Sequence, residues 1–594
     1  MPTKILRPLL GLVLVLALLL SACTSTPAGT HPSGESAALT WMVWNGYDDF
    51  LALLDETCPD IELEFIPNAG ANRTGYGWVC MRADDTPDIF ITSQIMDQEL
   101  AQEHLADLSD YDFINSFSTS VLDQVAIDGG IYLLPVNYAM YGIFYNQTLM
   151  EEHGWALPTN FAELEELCQE IEAQGLVPGV LGTLLTGNSF SAVFNLAKTG
   201  WLTTPEGVVW ERDFLAGNAT AAGHWEEIMD YVQRYIDAGM FTTDPKDRNN
   251  PQVLLDYLGN RKAVFCTAQM TVNITELPDT GDKLGIMPFI SEHGDKNAYA
   301  YSPTSFIGIS RRLTEPGNEK KLEQAIRLLS LLFSPQGQAT FITEETPCVL
   351  SALNNAPLPE GSLIGDAQQA MREGQAFPLT FSSWGILPDL GQSFKEWFRG
   401  ENGMDGSKCI ARMDELQQDY LNHTSQLAFC ESTADFTLEE TATLVGKALG
   451  SASGADAAVI PIADTYHVGG ANISTGISTR LYKGQIDMDI AYTICPSTIG
   501  EYALMTMTGA QLKALTEKGF DAGDGIPYPY ITVVKGGGEP EDDKSYQVAF
   551  PMQGYTDETA KTYHAQVISG SLWDFVLDWL KAQKTVSPDG NPWN

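Results

Sequence analysis

The histidines, serines and glycines of this chain do not occur at the spacings that catalysis requires. A two-metal phosphoesterase holds its ions with clustered Asp and His ligands, whereas the eight histidines here are scattered and none lies in an Asp-x-His or Gly-Asn-His pattern. Residues 450–454 resemble a Gly-x-Ser-x-Gly nucleophile elbow but carry Ala452 at the centre, and no phosphate-binding P-loop occurs. The 77 acidic residues are too numerous for their spacing to decide about a glycosidase. We predict no enzyme, no metal site and no cofactor.

Cys23 is the residue for which we predict a covalent modification. Two basic residues precede an apolar run over residues 9–20, which is the order of a secretory signal and too short for a membrane-spanning helix. The following Ser-Ala-Cys step resembles a bacterial lipobox, in which the cysteine is lipidated and the preceding peptide removed. A plain signal peptide that ends near a cysteine is the alternative. We expect a signal peptide over 1–22 and a lipidated Cys23 followed by a flexible tether up to residue 38. The protein would then lie anchored on the extracytoplasmic face of the cell membrane.

The charge balance excludes nucleic acid as a partner. The chain has 33 basic and 77 acidic residues, and removal of residues 1–22 leaves 31 basic against 77 acidic residues. Binding to phosphates needs patches of Lys and Arg. We interpret the acidity as that of a soluble secreted protein, and no EF-hand pattern favours calcium.

The cysteines other than Cys23 form no CxxC pair, which argues against zinc. They lie at positions 58, 80, 168, 266, 348, 409, 430 and 495. Cys58 and Cys80 are the first pair to test for a disulfide in an exported chain, and apolar surroundings such as those of Cys266 suit buried free thiols equally well. The connectivity stays open.

Residues 39–424 show alternating strand and helix patterns. Apolar runs at 39–44, 61–66 and 88–91 predict strands, and residues 97–105 predict an amphipathic helix. This alternation favours an α/β unit with a largely parallel sheet, in which ligands bind beyond the carboxyl ends of the strands. The residues at those ends are Trp44, Asn45, Ser93 and Gln94.

An ordered series of short segments in this unit resembles the extracellular solute-binding proteins of carbohydrate ABC importers. The segments are PDIF (87–90), LADL (105–108), GGIYLLP (129–135), GIFYN (142–146), PTNFAEL (158–164), NRKAV (260–264), IGIS (307–310) and SPQGQ (334–338). The resemblance covers most of residues 39–424. It implies two α/β lobes that close on a ligand by a hinge motion, with crossover strands at 135–145 and 263–273, and a membrane permease as partner.

The ligand implied by this resemblance is a sugar, which needs aromatic faces for its ring and planar polar groups for its hydroxyls. The aromatic candidates are Trp44, Tyr138, Tyr141, Trp201 and Trp384, and the last matches a cleft position of the family. The polar candidates are Asn45, Gln94, Asn137, Asn188 and Asn273. Each ring could equally belong to the core and each amide to a helix cap or a loop. Met270 stands where family members often carry Trp, so a maltooligosaccharide-like ligand is doubtful and the solute stays open.

Residues 425–594 form a second unit after a helix at 407–421. We predict a helix at 438–449, a strand at 457–462, a helix from Thr508, a strand at 546–550 and a helix at 572–580. The segments GADAAVI (454–460), LYKGQI (481–486), MTGAQL (507–512), EDDKSYQVA (541–549) and VSP (586–588) look like the carboxyl-terminal domain of the 5′-nucleotidases. This smaller α/β (α+β) domain would hold a nucleoside, while the metal-binding domain that breaks the ester is missing.

Departures at the nucleoside site predict a degenerate accessory domain. Arg480 is displaced from the family's turn, and Ser497 and Gln553 replace two stacking Phe residues; losing both removes most of the stacking energy. Phe550, Tyr528, Tyr530 or Tyr555 could substitute. The leading hypothesis is therefore a lipid-anchored receptor for a sugar, with this domain as an accessory module. The alternative is a surface nucleotide- or nucleoside-binding protein, or a 5′-nucleotidase-related hydrolase.

Overall fold

A computed structural model of the chain describes residues 38–594 except 44–46, 69, 71, 185, 249, 270–275, 279, 341–348, 355, 357–362, 364, 380–383, 425–427, 465–475, 497–501, 522–526, 553–556, 592 and 594. Within these residues, no helix is long and apolar enough to cross a membrane. The same residues contain no group of three or more His, Cys, Asp and Glu side chains that could hold a metal ion.

One mixed sheet runs through residues 39–424, which we call the first unit. Its strands are β1 (Leu39–Val43), β2 (Leu63–Pro67), β3 (Ile89–Thr92), β6 (Leu134–Asn146), β7 (Val177–Leu181), β8 (Thr242–Thr243), β9 (Ala263–Gln269), β10 (Leu284–Met287), β11 (Tyr299–Ile309), β12 (Val349–Ser351) and β13 (Ala376–Pro378), and β4 (Ala126–Ile127) and β5 (Gly130–Ile131) form a separate hairpin. The order of the main path is β2-β1-β3-β11-β6-β9-β7-β8. The three strands predicted at the start of the unit are confirmed within two residues.

The two longest strands, β6 and β11, join two lobes. The first part of β6 pairs with β11 from Leu134 to Tyr141, and its second part pairs with β9 and β10 from Tyr141 to Asn146. The first lobe is built on β1–β3 and the second on β7–β10. The crossover predicted at 135–145 coincides with β6. Strand β9 ends at Gln269, so the rest of the crossover predicted at 263–273 lies outside the described residues, and β11 is a crossing strand that the sequence patterns did not indicate.

Helices cover the sheet of the first unit. They are α1 (Asp48–Thr57), α2 (Arg73–Arg82), α3 (Gln98–His104), α4 (Thr119–Val125), α5 (Gln147–His153), α6 (Phe161–Ala173), α7 (Thr186–Lys198), α8 (Pro205–Leu215), α9 (Glu226–Asp237), α10 (Asn250–Tyr257), α11 (Glu319–Leu332), α12 (Pro335–Ala339), α13 (Gly365–Arg372), α14 (Leu387–Arg399) and α15 (Gly406–Thr424), with short 3₁₀ turns at Asp112–Ser116, Trp201–Thr203 and Arg311–Thr314. Side-chain caps start several of them, as where Asn160 accepts a hydrogen bond from the Glu163 amide at 3.0 Å.

The first unit has two hydrophobic clusters. The first contains Trp41 and Phe50 of the first lobe, Tyr138 and Phe144 of β6, and residues of the second-lobe strands such as Val180 and Cys266. The second is rich in aromatic side chains, which include Phe190, Phe194, Trp210, Phe214, Trp225 and Trp384. The first cluster follows β6 from the first lobe into the second, so the two lobes share part of their buried core.

The described part of the second unit, residues 425–594, contains ten strands and five helices, and five of the strands form its main sheet. Its strands are β14 (Cys430–Ser432), β15 (Ala457–Pro461), β16 (Gly484–Ile486), β17 (Tyr502–Thr508), β18 (Phe520–Asp521), β19 (Pro527–Tyr528), β20 (Tyr530–Val534), β21 (Ser545–Pro551), β22 (Gln566–Val567) and β23 (Thr585–Val586), and its helices are α16 (Leu438–Ser453), α17 (Met488–Thr493), α18 (Gly509–Thr516), α19 (Asp557–Thr562) and α20 (Leu572–Gln583). The main sheet has the order β20-β15-β21-β17-β22. The helices and strands predicted here are confirmed, and capping boxes at Thr437–Glu440 and Thr508–Gln511 start α16 and α18.

The cysteines of the described residues are free and buried. Cys58 lies in the core of the first lobe and Cys80 in a separate cluster with Met42 and Tyr76. The disulfide considered between Cys58 and Cys80 is therefore not formed, and the alternative of buried free thiols is confirmed for these seven residues. Cys348 and Cys23 lie outside the described residues.

Candidate functional site

The strand directions place a cleft where β6 and β11 cross between the lobes. Thr92, the last residue of β3, pairs with Phe306, while Ile89 pairs with Ile309, so β3 and its parallel neighbours run toward the crossing. In the second lobe β7 is parallel to β9, and Gln269 at the end of β9 pairs with Tyr141. The carboxyl ends of the parallel strands of both lobes therefore face the same crossing region, which is where α/β sheets bind ligands.

The floor of this cleft is formed by β6 and β11. A register shift near Thr304 interrupts their pairing, and the exposed Thr304 donates a hydrogen bond from Oγ1 to the Oδ1 of Asn137. Bulges often redirect a side chain next to a functional site. Asn137 was predicted from sequence, but Thr304 was missed. The sequence signal that could have indicated Thr304 is the preceding Pro303, because proline within a strand marks an edge or a bulge.

Two tyrosines of β6 lie on opposite sides of the crossing and are both buried. Tyr138 is 1% exposed in the first-lobe core, with its ring centroid 5.3 Å from that of Tyr301 in an edge-to-face arrangement. Burial, followed by the neighbouring Tyr301, raises the pKa of Tyr138 far above its usual range. Tyr141 is 7% exposed and belongs to the second-lobe core. The two rings therefore belong to different buried clusters.

The first-lobe side of the cleft consists of the residues that follow β3. Trp78 Nε1 donates to Thr92 Oγ1 and to the Gln94 carbonyl oxygen, both at 3.2 Å. The hydroxyls of Ser93 and Thr74 are hydrogen-bonded to each other. Ser93 is exposed and Gln94 is partly exposed. These contacts fix the backbone after β3, and the contact of Gln94 with a ligand stays a prediction.

The second-lobe side is formed by the turn between β7 and α7. Asn188 is 8% exposed, and its Nδ2 donates to the Gly182 carbonyl oxygen at 3.1 Å. The Gly182 amide in turn donates to Asn250 Oδ1 at 2.9 Å. Part of the hydrogen-bonding capacity of Asn188 therefore holds the turn in place, and its contact with a ligand stays a prediction.

Trp384 and Trp201 lie among other aromatic side chains of the second lobe. Trp384 is 2% exposed, and its Nε1 donates to Glu211 Oε1 at 2.9 Å. Trp201 is partly buried and stacks on His224, with ring centroids 5.4 Å apart. These contacts hold both rings within the second lobe rather than at the floor residues Asn137 and Thr304, so their role in binding stays a prediction.

A charged network that the sequence did not reveal supports the second-lobe side. Asp247 accepts hydrogen bonds from Thr183 at 3.0 Å, from Lys395 at 2.7 Å and from Arg399 at 2.9 Å. Burial opposes ionisation of Asp247, but the bonds from Lys395 and Thr183 prevail and lower its pKa. Thr183 directly follows Gly182 of the cleft turn, so this network anchors the turn to α14. The residues of this network are far apart in the sequence, so no local sequence pattern predicted it.

Several predicted residues lie outside the described residues. They are Cys23, Trp44, Asn45, Met270, Asn273, Ser497, Gln553 and Tyr555. Of the second-unit candidates, Phe550 is 2% exposed in a core of the second unit and Tyr528 is also buried at 2%. The guanidinium of Arg480 is paired with Asp85 of the first lobe.

The chemistry that this arrangement allows is recognition of a neutral polar molecule. The described residues that we place at its floor and edges carry amides and a hydroxyl and are Gln94, Asn137, Asn188 and Thr304. Asp247 is paired with Lys395 and Arg399. Side-chain amides and hydroxyls both donate and accept hydrogen bonds. A polar, uncharged solute suits such a lining.

Known proteins share this part of the chain. Residues 79–362, just under half of the chain, match the family of bacterial extracellular solute-binding proteins. The matched residues extend from α2 in the first lobe, through the whole sheet crossing, to the segment after β12.

Two curated relatives of the chain are distant. An uncharacterised extracellular-binding protein of an ABC transporter from Pyrococcus horikoshii is 24% identical over 192 residues, which are 30% of this chain and 45% of the relative. A multiple sugar-binding protein from Streptococcus mutans is 25% identical over 185 residues, which are 29% of this chain and 42% of the relative. The chain thus spans less than half the length of these curated relatives.

Solved structures show the same two-lobe fold. A binding protein from Bacillus subtilis in an open conformation has a TM-score of 0.54 at 16% identity, over 66% of this chain and all of the other. A solute-binding protein in complex with raffinose has a TM-score of 0.51 at 16% identity, over 64% and 99% of the two chains. A chitin oligosaccharide binding protein has a TM-score of 0.50 at 18% identity, over 64% and 98%. This part of the chain therefore has a mixed α/β fold of this two-lobe type.

Proposed function

We propose that this protein is a membrane-anchored receptor that captures a sugar or oligosaccharide outside the cell and delivers it to the permease of an ABC importer. The observation that carries the proposal is the cleft between two lobes, whose edges are the carboxyl ends of parallel strands and whose floor presents Asn137 and Thr304. Ligand binding between two lobes would draw them together by bending at the crossing strands.

The sugar class rests on the kind of proteins that the chain is similar to. One relative is a multiple sugar-binding protein, and solved neighbours are a raffinose complex and a chitin oligosaccharide binding protein. The neutral lining agrees with such solutes. We propose that the ligand contacts come from Trp44, Asn45, Gln94, Asn137, Tyr138, Tyr141, Asn188, Trp201, Met270, Asn273 and Trp384, together with Thr304.

The anchoring and the domain limits complete the proposal. The signal at residues 1–22 and the lipid on Cys23 would tether the body through residues 23–38. A solute-binding domain would then follow at 39–424 and a 5′-nucleotidase carboxyl-terminal-like domain at 425–594. Metabolic labelling with a radioactive fatty acid tests the anchor: Cys23→Ser should abolish incorporation, and labelling that survives this substitution would contradict lipidation at this residue.

Thermal unfolding in the presence of candidate ligands tests the receptor function, because a ligand that binds only the native state raises its stability. Raffinose, chito-oligosaccharides and a broader set of neutral sugars form one arm, and adenosine and other nucleosides form the second. We expect a sugar to raise the midpoint temperature and to bind with a measurable heat. Failure of every sugar in a broad set would contradict the proposal.

A matched pair of amide substitutions locates the binding site. Asn137→Ala removes an acceptor and a donor from the cleft floor and should weaken binding of the identified sugar at least about tenfold, the loss of one to two good hydrogen bonds. Asn115→Ala changes an exposed amide of the first lobe and should leave affinity unchanged. Equal affinities in both variants would show that the sugar binds elsewhere.

For the second unit we propose an accessory nucleoside-type fold that has lost its ligand site. Support comes from Arg480, which is engaged by Asp85, and from the buried Phe550 and Tyr528, since a ring that packs in the core offers no face to a base. Calorimetry of the full chain with adenosine should show no binding, and the chain should release no phosphate from AMP with added divalent metal. Binding of adenosine, or metal-dependent turnover, would favour the nucleotide alternative.

A further inference from the structure

The second unit is seated on helix α2 of the first lobe. Gly70, just before α2, forms an isolated β-bridge with Pro496. The Asn72 amide donates to the Tyr492 carbonyl oxygen, and Asn72 Nδ2 donates to the Asp489 carbonyl oxygen, both at 3.4 Å. These contacts bring α17 of the second unit to the carboxyl end of β2. That end of the sheet is the one that faces the cleft.

Five side chains behind these contacts form what we call the docking cluster: Tyr76, Cys80 and Asp85 of the first lobe and Arg480 and Tyr482 of the second unit. Asp85 Oδ2 accepts hydrogen bonds from the Arg480 guanidinium and from the Tyr482 hydroxyl, the latter at 2.6 Å. The Arg480 amide donates to the Tyr76 hydroxyl at 3.1 Å. Tyr76 and Cys80 are each 2% exposed. The cluster therefore combines a charged pair with buried, well-packed side chains.

The Arg480–Asp85 pair stands apart from the other ion pairs. Among the described residues, it is the ion pair that joins the first unit to the second, and the remaining pairs lie within one lobe or within the second unit. The side chains of Arg480 and Asp85 are 32% and 27% exposed, and a partly buried pair is screened less by salt than a fully exposed one. This cluster therefore holds the second unit in one orientation on the first lobe.

The chain connects the second unit to the second lobe, although the second unit docks on the first lobe. Helix α15 packs in the second lobe, where Asp414 accepts from the Ala221 amide at 2.6 Å and Gln417 donates to the Leu215 carbonyl oxygen at 3.0 Å. Helix α15 ends at Thr424, and Ala428 is only four residues further along the chain. Four residues span at most about 14 Å. The second unit thus starts close to the second lobe and is docked on the first.

We propose that the docked second unit is a strap between the two lobes, and that its docking on α2 is thermodynamically coupled to the opening angle of the cleft. A change in the angle between the lobes moves the end of α15 relative to α2, and the short connection cannot absorb a large displacement. Docking therefore restricts the range of lobe orientations. Reciprocally, any event that changes the lobe orientation changes the strength of docking by the same factor. This coupling gives the second unit a role that needs no ligand of its own.

Two substitutions release the strap by different physical means. Asp85→Asn removes the charge that binds Arg480 and Tyr482. Gly70→Ala changes none of the five residues of the docking cluster. It places a Cβ 2.6 Å from the Thr493 carbonyl oxygen, which forces the two units apart. Asp84→Asn is the matched control, since the Asp84 side chain is 87% exposed and its ion pair with His104 is 3.7 Å long. Amide hydrogen exchange of α2 and α17 should accelerate at least about tenfold in the first two variants and stay unchanged in the control.

The coupling is then read from the distance between the lobes in ligand-free protein, so the result does not depend on the sugar-binding proposal. Spin labels are attached at Glu62→Cys in the first lobe and Glu166→Cys in the second, both exposed positions, in residues 24–594 with Cys348→Ser. We expect the inter-lobe distance distribution to shift or to widen about twofold when the strap is released, and to match wild type in Asp84→Asn. An unchanged distribution in a variant whose exchange shows release would overturn the strap. Unchanged exchange in both Asp85→Asn and Gly70→Ala would show that the cluster does not hold the second unit, which would overturn the proposal as well.

Discussion

Arg261 forms a two-bonded ion pair with Asp282, with Nε and Nη2 donating to the two carboxylate oxygens at 2.7 and 2.6 Å. Asp282 is 3% exposed and also accepts from Asn146 Nδ2 at 2.8 Å. Arg261 and Asn146 belong to two separate family-like segments, NRKAV and GIFYN. The polar side chains of these two segments thus hold one buried carboxylate at the base of the second lobe.

We predict that Asp282→Ala destabilises the protein by about 2 kcal/mol. The substitution leaves the buried Asn146 amide without this acceptor, and such an unsatisfied group costs about 1–3 kcal/mol. Arg261 is 37% exposed and keeps Glu152 as a partner, so its loss adds little. Denaturant unfolding measures the effect. Glu152→Gln, at a half-exposed position, is the control and should cost less than about 1 kcal/mol; equal effects would contradict the assignment of Asp282 as the central residue.

The buried ion pair of Lys198 and Glu211 should show strong non-additivity. The two side chains are 6% and 9% exposed, 2.7 Å apart, and Glu211 also accepts from Trp384. Removal of one partner leaves a buried charge and costs about 3–5 kcal/mol, whereas an apolar pair of similar volume is often neutral. We therefore expect Lys198→Met and Glu211→Leu each to be strongly destabilising, and the double variant to recover much of the loss in chemical denaturation. A double variant whose loss equals the sum of both singles would contradict this reasoning.

Stability should fall below pH 4 in part because of Asp256. Hydrogen bonds from Lys262 and Arg248 lower the pKa of Asp256 from 3.8 to about 2. A carboxyl whose folded pKa is depressed contributes stability above its unfolded pKa and loses it as the pH falls through the folded value. The expected window of loss is thus from about pH 4 down to pH 2. Urea unfolding at several pH values should give a flatter acid slope for Asp256→Asn than for wild type, and parallel slopes would contradict the prediction.

The described thiols should be inert in the native protein. Burial raises the pKa of Cys80, Cys266 and Cys495 to about 12, and the thiolate is the reactive form. Titration of residues 24–594 with a thiol reagent at about pH 8 should therefore label Cys348 at most. The same titration in guanidinium should label all eight cysteines of these residues. Rapid native labelling of Cys266 or Cys495 would contradict the prediction, whereas labelling of Cys80 in the Asp85→Asn variant alone would report release of the second unit.

The sequence by itself determined the local structure and the type of the first unit. Apolar periodicity and cap residues such as Asn160 and Thr508 act within a few residues of each other, so helices and strands could be predicted close to their observed ends. The ordered short segments indicated a solute-binding protein, and the match of residues 79–362 agrees with it. The amide at Asn137 lies on β6 at the crossing of the lobes, within the segment that the sequence assigned to a crossover.

Only the tertiary structure decided which distant residues meet. Thr304 reaches Asn137 because a bulge in β11 lies opposite β6, and Trp384 is buried because residues far away in the sequence, such as Phe194 and Trp225, surround it. Arg480 was considered part of a nucleoside site, but its partner Asp85 lies 395 positions earlier in the chain. Such contacts depend on packing between separate elements, and no periodicity or local spacing in the sequence encodes them.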